Sequence, residues 1–167
     1  MVSPEGSLVL RPAGDDDADA VWAILQPVLT AGDTYALPRD MARDQALAYW
    51  CGADRRTYVA EADGVVLGTY YLRANQPGGG DHVANCGYMT APAARGRGVA
   101  RAMCGHSLDE ARRHGFTAMQ FNFVVSTNDA AIALWRSMGF AEVGRLPGAF
   151  RHPVQGPVDA LVMFQAL

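Results

Sequence analysis

The segment Tyr88-Met-Thr-Ala-Pro-Ala-Ala-Arg95-Gly-Arg-Gly-Val-Ala100 carries the strongest chemical signal in the 167-residue chain. The residues before Pro92 predict a strand, and a helix is predicted from Val99 to His114, so Gly96 and Gly98 lie in a strand-to-helix turn. Glycine lets main-chain N–H groups approach an anion closely, and a helix N-terminus adds the positive end of a dipole. The turn is therefore predicted to bind a phosphate or pyrophosphate group.

A glycine-bearing turn of this kind is common for steric reasons alone, so a plain compact connection is the competing interpretation. Two other nucleotide-binding loops do not match. The turn lacks the GK[ST] ending of a Walker-type loop, and a dinucleotide fingerprint would place GxGxxG early in a parallel βαβ unit. The wider sequence context must decide.

That context resembles the GNAT acetyltransferase superfamily. Arg95-x-x-Gly98-x-Ala100 is similar to the family's R/Q-x-x-G-x-G/A loop. Asn128, Ala131 and the run Leu134-Trp-Arg-Ser-Met-Gly-Phe140 resemble its N-x-x-A-x-x-L-Y-x-x-x-G-F helix, and the opening Leu10-Arg-Pro-Ala13 is also typical. The resemblance implies the GNAT fold and an N-acetyltransferase that uses acetyl-CoA as its co-substrate.

The order of predicted elements places the chain in the α/β class. It runs as one strand, two helices and three strands, followed by α-β-α-β-β. Together with the resemblance, this predicts a single mixed, mostly antiparallel sheet of about six to seven strands flanked by about four helices. The last two strands are predicted at 142–146 and 159–165, around a loop rich in proline and glycine. The length fits one domain spanning residues 1–167.

Composition narrows the class of partner. Half of the residues are hydrophobic, 19% are charged and the formal net charge is -3, so nucleic acid is not an expected partner. Three cysteines in apolar contexts, without CxxC spacing, argue against disulfides and a metal site. Met1–Val9 lacks a signal-peptide pattern and no run is long enough to span a membrane, which predicts a cytoplasmic location. The oligomeric state stays open between a monomer and a homodimer.

The resemblance assigns cofactor-binding roles to residues around the turn. Main-chain groups of Tyr88 and Thr90, with Met89 between them, would pair with the pantetheine arm and orient the thioester carbonyl. Asn128 would hydrogen-bond the cofactor near its sulfur, although a plain helix N-cap is the competing interpretation. The residues expected around the pyrophosphate, mostly through their amides, are Arg95, Gly96, Arg97, Gly98, Val99, Ala100 and Arg101.

One position departs from the family pattern. Trp135 stands where many members place a tyrosine that protonates the departing thiolate. An indole N–H donates a hydrogen bond but does not act as an acid. Trp135 is therefore expected either beside the cofactor or as a core aromatic residue. The proton for the thiolate then comes from water or from another group such as Tyr88.

Asn85 and Asn122 lie inside the strands predicted before and after the turn, where a buried amide without partners costs roughly 1 to 3 kcal/mol. In the GNAT fold these strands splay apart, so both side chains are predicted to point into the gap and take part in catalysis. A bond to a bulge or to water in the sheet is the alternative. The string Phe121-Asn-Phe-Val-Val-Ser-Thr-Asn128, with Asn85 and Trp135, is similar to the GNAT branch that acetylates azetidine-2-carboxylate and other proline analogues.

The predicted reaction is direct attack by an uncharged amine on the thioester, with main-chain N–H groups of the strand at 88–90 holding the oxyanion. A water chain is the expected base and Glu61 a weaker candidate. Cys86 lacks a neighbouring histidine that would make it a nucleophile. The expected acceptor is a small-molecule amine, such as an amino acid, which Asn85 and Asn122 would recognise because amide donors suit a carboxylate. Arg151 or His152, in the late loop rich in proline and glycine, would add charge, and an ordinary surface-loop role is the alternative for both. The alternatives are a peptide or protein N-terminus, and a non-catalytic module that binds acyl-CoA.

Overall fold

A computed structural model describes residues 7–167. The first six residues, which form most of the segment used to predict the absence of a signal peptide, lie outside the described part. The described residues form seven strands and four α-helices. The strands are β1 Val9–Pro12, β2 Arg56–Ala62, β3 Val65–Ala74, β4 Val83–Thr90, β5 Ala118–Val125, β6 Ala141–His152 and β7 Gly156–Ala166. The helices are α1 Ala18–Ala31, α2 Arg43–Trp50, α3 Val99–Arg113 and α4 Asp129–Ser137.

The seven strands form one mixed sheet in the order β1-β2-β3-β4-β5-β7-β6. All neighbouring strands are antiparallel except β4 and β5, which run parallel because α3 connects them. This architecture confirms the predicted α/β class, the mixed, mostly antiparallel sheet and the number of helices. In residues 7–167, no helix combines the length and apolarity that crossing a bilayer requires.

Helices α1 and α2 cover one face of the sheet. The apolar positions of α1 that recur every three or four residues are buried, as predicted from Val21, Ile24 and Leu25. The helix ends where Gly32 takes the left-handed conformation with φ of 65°. At the end of α2, Trp50 is fully buried, and its indole N–H donates to Thr69 Oγ1 at 3.0 Å. We call this side the α1–α2 face.

Helices α3 and α4 cover the opposite face. Met103 and Cys104 of α3 are fully buried, and the ring of Phe121 from β5 stacks on Phe140, with 4.2 Å between the ring centroids. The side chain of Tyr88 packs against this second core, whereas Tyr71 and Met89 belong to the core under α1 and α2. Side chains that alternate along β3 and β4 therefore separate the two cores.

The pairing of β4 with β5 is short. Only Val83 with Ala118 and Ala84 with Met119 are paired, and beyond them the two strands diverge. The remaining residues of β4 keep their antiparallel partners on β3, from Asn85 to Thr90. A gap therefore opens in the middle of the sheet, next to the N-terminal end of α3.

The C-terminal hairpin corrects the sequence prediction. Strands β6 and β7 extend well beyond the predicted ranges 142–146 and 159–165, so Arg151 and His152 lie in β6 and not in a loop. The pairing skips from Leu146 to Phe150, and this bulge accommodates Pro147 and Gly148 without ending the strand. Burial of the Phe150 side chain holds the strand on the sheet after the bulge.

The cysteines follow the sequence prediction only in part. All three are free thiols, and Cys86 and Cys104 are buried as expected of small apolar side chains. Cys51 was wrongly placed in an apolar context, because it is exposed. It follows the last residue of α2 directly, where the chain turns away from the core.

A substitution at Gly87 would show how tightly the aromatic residues pack on β4. A Cβ atom at this position would lie 2.7 Å from Cε1 of Tyr71, whose ring is held by Trp50 at 4.9 Å between centroids. We expect Gly87→Ala to lower the free energy of unfolding by about 1 to 3 kcal/mol in urea titrations, since overpacking forces the ring to move. Gly105→Ala is the matched control in mid-α3, with its nearest neighbour 4.0 Å away, and it should be stabilising. Equal unfolding midpoints for the two variants would contradict this packing.

Candidate active site

A cavity of about 790 Å³ occupies the gap between β4 and β5. Its wall is formed by both strands, the turn at 94–101, the N-terminal part of α4 and the loop between α1 and α2. The predicted residues that line it are Asn85, Tyr88, Met89, Thr90, Arg95, Gly96, Gly98, Val99, Ala100, Arg101, Asn122, Asn128 and Trp135. The sequence motifs, which are spread over about a third of the chain, therefore meet at one place.

The main chain of β4 faces the cavity. The amide of Ala91 donates to Leu67 and the carbonyl of Val83 accepts from Asn75, which shows that odd-numbered residues turn their main chain toward β3. The even-numbered residues Tyr88 and Thr90 therefore direct their N–H and C=O groups toward β5. Because β5 has diverged there, these groups have no strand partner. This is the orientation that the prediction for a pantetheine arm requires.

Tyr35, a loop residue that no sequence motif indicated, forms hydrogen bonds with the main chain of Tyr88. The hydroxyl of Tyr35 accepts from the Tyr88 amide and donates to the Tyr88 carbonyl, both at 2.8 Å. Burial raises the pKa of Tyr35 well above its usual range, so the phenol is neutral. The two residues are 53 positions apart, and no sequence pattern links them.

The turn before α3 has a geometry that suits an anion. Gly96 and Gly98 both take left-handed φ angles, of 75° and 78°, and a Cβ atom at either would meet nothing within 4 Å. The amide of Ala102 makes the first bond of the helix, to Gly98, which leaves the amides of the first turn without helical partners. Arg95 and Arg97 are exposed beside them. A pyrophosphate fits this donor set, which combines free amides, a positive dipole end and two nearby cations.

Arg101 behaves differently from its neighbours in the turn. Its guanidinium donates to Ser137 Oγ at 2.8 Å, which ties the start of α3 to the end of α4. Its charge still lies at the rim of the cavity.

Asn128, at the start of α4, and Trp135, within it, both line the cavity. Asn128 Oδ1 accepts from the amide of Ala131 at 3.3 Å, so the side chain is the helix N-cap. Its amide nitrogen is not used in this cap. Trp135 is 8% exposed and packs on Tyr88, with ring centroids 4.9 Å apart, as part of the core and of the cavity wall together. The two interpretations left open for Trp135 are thus compatible.

The two strand asparagines have different surroundings. Asn85 is 7% exposed, and its Nδ2 donates to the carbonyl of Gln120 at 2.9 Å, which bridges β4 and β5 just where their pairing stops. Asn122 is exposed at the cavity rim. Its amide donates to Asn75 Oδ1 at 2.6 Å and its Oδ1 accepts from Gln120 Nε2. A catalytic role for either remains a prediction.

The side chain of Tyr88 points away from the gap. Its hydroxyl lies 2.7 Å from Ser107 Oγ under α3, and burial raises its pKa well above the usual range. Burial likewise raises the pKa of Cys86 to about 12, which opposes formation of a nucleophilic thiolate. In Tyr88 it is the main chain that faces the cavity.

The charged residues outside the turn that the sequence suggested for the site do not line the cavity. Glu61 is not at the cavity, because it forms an ion pair with Arg11 at 2.6 Å. Arg151 and His152, at the hairpin end of β6, do not line the cavity either. Among residues 7–167, histidine, cysteine and carboxylate side chains do not gather in groups of three that would hold a metal ion.

Two charged residues that the sequence did not indicate do line the cavity. Asp33, in the loop after α1, is its one carboxylate within the described chain. Arg73 of β3 lies opposite Asn85 in the sheet register. The Nε atom of Arg73 is buried and has no hydrogen-bond partner within the described chain, and the nearest carboxylate oxygen, Asp54 Oδ2, is 3.5 Å from Nη1. Single charges in mixed surroundings carry no motif that would have revealed them.

Comparison with known proteins agrees with this geometry. The family model for the acetyltransferase (GNAT) family matches residues 19–140. A solved GCN5-related N-acetyltransferase from Kribbella flavida is 44% identical, with 96% of this chain and 98% of that chain covered and a TM-score of 0.91. The structure of yncA from Salmonella typhimurium, solved with its cofactor acetyl-CoA, is 24% identical, with 96% and 94% covered and a TM-score of 0.85.

A curated relative gives a shorter match. The N-acetyltransferase aca1 of Schizosaccharomyces pombe is 35% identical over 98 residues, which is 58% of this chain and 47% of that protein. The chain thus spans about half the length of this relative. The family model covers more than half of the chain and shows that the chain belongs to the acetyltransferase (GNAT) family.

Substitutions at the two glycines that flank α3 distinguish an effect on anion binding from an effect on stability. Gly98 and Gly115 have φ angles of 78° and 83°, and neither would bring a Cβ atom within 4 Å of another atom. Both Gly98→Ala and Gly115→Ala should lower the free energy of unfolding by about 1 kcal/mol, because alanine is strained at positive φ. Only Gly98→Ala should also weaken the binding of coenzyme A in calorimetry. Equal affinity of both variants for coenzyme A would contradict the assigned anion site.

Proposed function

We propose that this protein transfers the acetyl group of acetyl-CoA to the amine of a small molecule that carries a carboxylate, such as an amino acid or a proline analogue. The observation that carries the proposal is the gap between β4 and β5. It brings the free amides of the α3 turn, the main chain of Tyr88, which has no strand partner, and the cation of Arg73 into one cavity.

The cofactor end of the cavity lies at the turn. The amides of Gly96 and of residues 98–101 would hold the pyrophosphate, whereas the Arg97 amide already donates to the carbonyl of Ala94. The side chains of Arg95 and Arg97 would add charge. The pantetheine arm would then run along the unpaired groups of β4 toward the Tyr88 amide. The acetyl-CoA bound to yncA, a protein with the same fold, is consistent with this cofactor.

The acceptor end lies on the α1–α2 face. Its wall contains the rings of Tyr49 and Tyr71 and the guanidinium of Arg73. Arg55 stacks on both rings, at 4.2 Å and 4.6 Å from their centroids, which fixes the aromatic wall. Arg73 has donor capacity that the protein leaves unused, and a carboxylate is the group that satisfies a guanidinium best.

Asn85 would recognise the amine and not the carboxylate. Its Nδ2 is already bonded to Gln120, which leaves Oδ1 as a hydrogen-bond acceptor at the cavity wall. An amide oxygen accepts from an amine N–H, so it would orient the nucleophile toward the thioester. Asn122, whose amide is shared with Asn75 and Gln120, would position the β5 side of the rim.

The reaction is direct transfer. An uncharged amine attacks the acetyl carbon while the Tyr88 amide donates to the developing oxyanion. Water takes the proton that an ammonium form must lose first, and Asp33 is the carboxylate that lines the cavity within the described chain.

The cytoplasm, with its reducing conditions, is the compartment that suits three free cysteines.

An acceptor screen tests the class of substrate. Thiol release from acetyl-CoA is measured with amino acids, proline analogues, polyamines and short peptides, and products are identified by mass spectrometry. We expect acceptor-dependent turnover with amino acids or proline analogues. Acetylation of peptides alone would instead establish the N-terminal acetyltransferase alternative, and cofactor binding without any turnover would contradict both.

Arg73 tests recognition of the carboxylate. Loss of a hydrogen bond to a charged group costs about 1.5 to 3 kcal/mol, so Arg73→Gln should raise the KM for an amino acid about 10-fold to 100-fold. The KM for the corresponding carboxamide, which has no charge to pair, should change little. Arg151→Gln, at the hairpin end of β6 and outside the cavity, is the matched control and should leave both values unchanged. A similar effect of Arg73→Gln on acid and amide would refute the assignment.

A further inference from the structure

A buried aromatic cluster places the hydroxyl of Tyr35 against the main chain of Tyr88, in the gap between β4 and β5. Its ring packs edge-on against Trp50, with 6.0 Å between centroids, and Trp50 is fixed by Thr69 at 3.0 Å and by the ring of Tyr71. The loop that carries Tyr35 is tied back to α1, because Arg39 Nε donates to the carbonyl of Thr30 at 2.8 Å. Packing of the ring and the tie of the loop to α1 therefore bring the phenol to the main chain of Tyr88.

Tyr35 reaches the main chain of Tyr88 from the α1–α2 face, while the side chain of Tyr88 lies on the opposite face. The acceptor end of the cavity lies on the same side as Tyr35. An acyl carbonyl that bound the Tyr88 amide would displace the Tyr35 hydroxyl from it. The hydroxyl would then lie beside the acyl group, where it would contact the incoming amine and the departing sulfur.

The hydroxyl of Tyr35 is a hydrogen-bond acceptor and donor at the same time. At 2.8 Å it accepts from one N–H and donates to one C=O in the same arrangement. A phenol that accepts and donates together can pass a proton without changing its own charge. Burial raises the pKa of Tyr35, which disfavours a free tyrosinate and favours such a relay over stepwise ionisation.

We propose that Tyr35 is a catalytic residue that relays a proton from the attacking amine to the sulfur of the departing thiol. The acceptor nitrogen bonds to the acetyl carbon and the carbon–sulfur bond breaks. The Tyr35 oxygen takes the proton that the nitrogen loses, and the Tyr35 O–H proton passes to the sulfur. The phenol ends neutral, and the products are the N-acetyl compound and coenzyme A with a free thiol.

The relay gives the cleft a proton donor that α4 does not provide. Trp135 has an indole N–H, which is not acidic enough to protonate a thiolate. The hydroxyl of Tyr88 is held by Ser107 under α3, on the side away from the acceptor. Tyr35 is the tyrosine whose hydroxyl contacts the main chain of the gap.

The relay rests on the proposed binding of acetyl-CoA in this cleft, so wild-type turnover and calorimetric titration with acetyl-CoA are measured first. Failure at that stage would reject the proposed function. Tyr35→Phe then removes only the hydroxyl and keeps the ring on Trp50. General acid–base catalysis contributes about 100-fold to 10,000-fold, so kcat should fall at least about 100-fold, with acetyl-CoA binding retained or tightened.

Tyr58→Phe is the matched control for loss of a buried phenol. Its hydroxyl bonds to Glu110 at 2.7 Å on the opposite face of the sheet, outside the cavity. This variant should lose stability and keep its kcat. A Tyr35→Phe variant with kcat within about threefold of wild type would overturn the relay.

Two further measurements separate proton transfer from simple positioning. With the selenoester of acetyl-CoA, whose selenolate leaves without a proton, the loss caused by Tyr35→Phe should shrink to about tenfold or less. Adding Trp135→Tyr to Tyr35→Phe supplies a phenol from α4 and should recover at least about tenfold in kcat. The same loss with both esters, together with no recovery in the double variant, would show that Tyr35 acts only through packing.

Discussion

The hydrogen-bonding groups of β4 that have no strand partner are the constraint on which the rest of this structure depends. Strand β5 pairs with β4 over only two residue pairs before it turns aside. A buried main-chain group without a partner costs about 1 to 3 kcal/mol, so the protein must supply other partners along the gap. Asn85 bridges to Gln120 at the apex, and the Tyr35 hydroxyl serves the N–H and C=O of Tyr88.

Partners of this kind are exchangeable, and this is why a break in a sheet suits a binding site. A partner strand is held by a row of neighbouring hydrogen bonds that break together, whereas a single hydroxyl can be displaced by a ligand that offers the same geometry. The pairing of β5 with β7 also skips between Phe121 and Val124, which lets β5 curve away without losing its place in the sheet. The gap therefore arises from the pairing of the strands and is not a packing defect.

The two faces of the sheet divide the chemistry. On one face α3 offers free amides and positive charge, which suit a diphosphate and have little to distinguish one acyl acceptor from another. On the other face the loop after α1, together with Tyr71 and Arg73 of β3, shapes the opposite end of the cavity. Acceptor preference can therefore change through the α1–α2 face while the anion site stays the same.

Parts of the molecule that depend on local order were predictable. The buried stripe of α1, the start of α3 at Val99 and the left-handed glycines before it follow from periodicity and from the steric freedom of glycine. Asn85 was found because an amide inside a strand demands a partner. The long C-terminal hairpin was not foreseen, since Pro147 and Gly148 predict a loop unless a bulge and a buried Phe150 hold the strand in register.

The residue types and spacing of the chain, by themselves, determined the class of fold, the conformation of the glycine-bearing turn before α3 and membership in an acetyltransferase family, because these features depend on local patterns in the sequence. Tertiary structure alone decided three features: the contact of Tyr35 with the main chain of Tyr88, the Nε of Arg73 that has no partner in the described chain, and the ion pair that keeps Glu61 away from the cavity. The physical reason is that these contacts join residues distant in sequence. Packing of the two cores, which sets which side chains meet, leaves no local pattern in the chain.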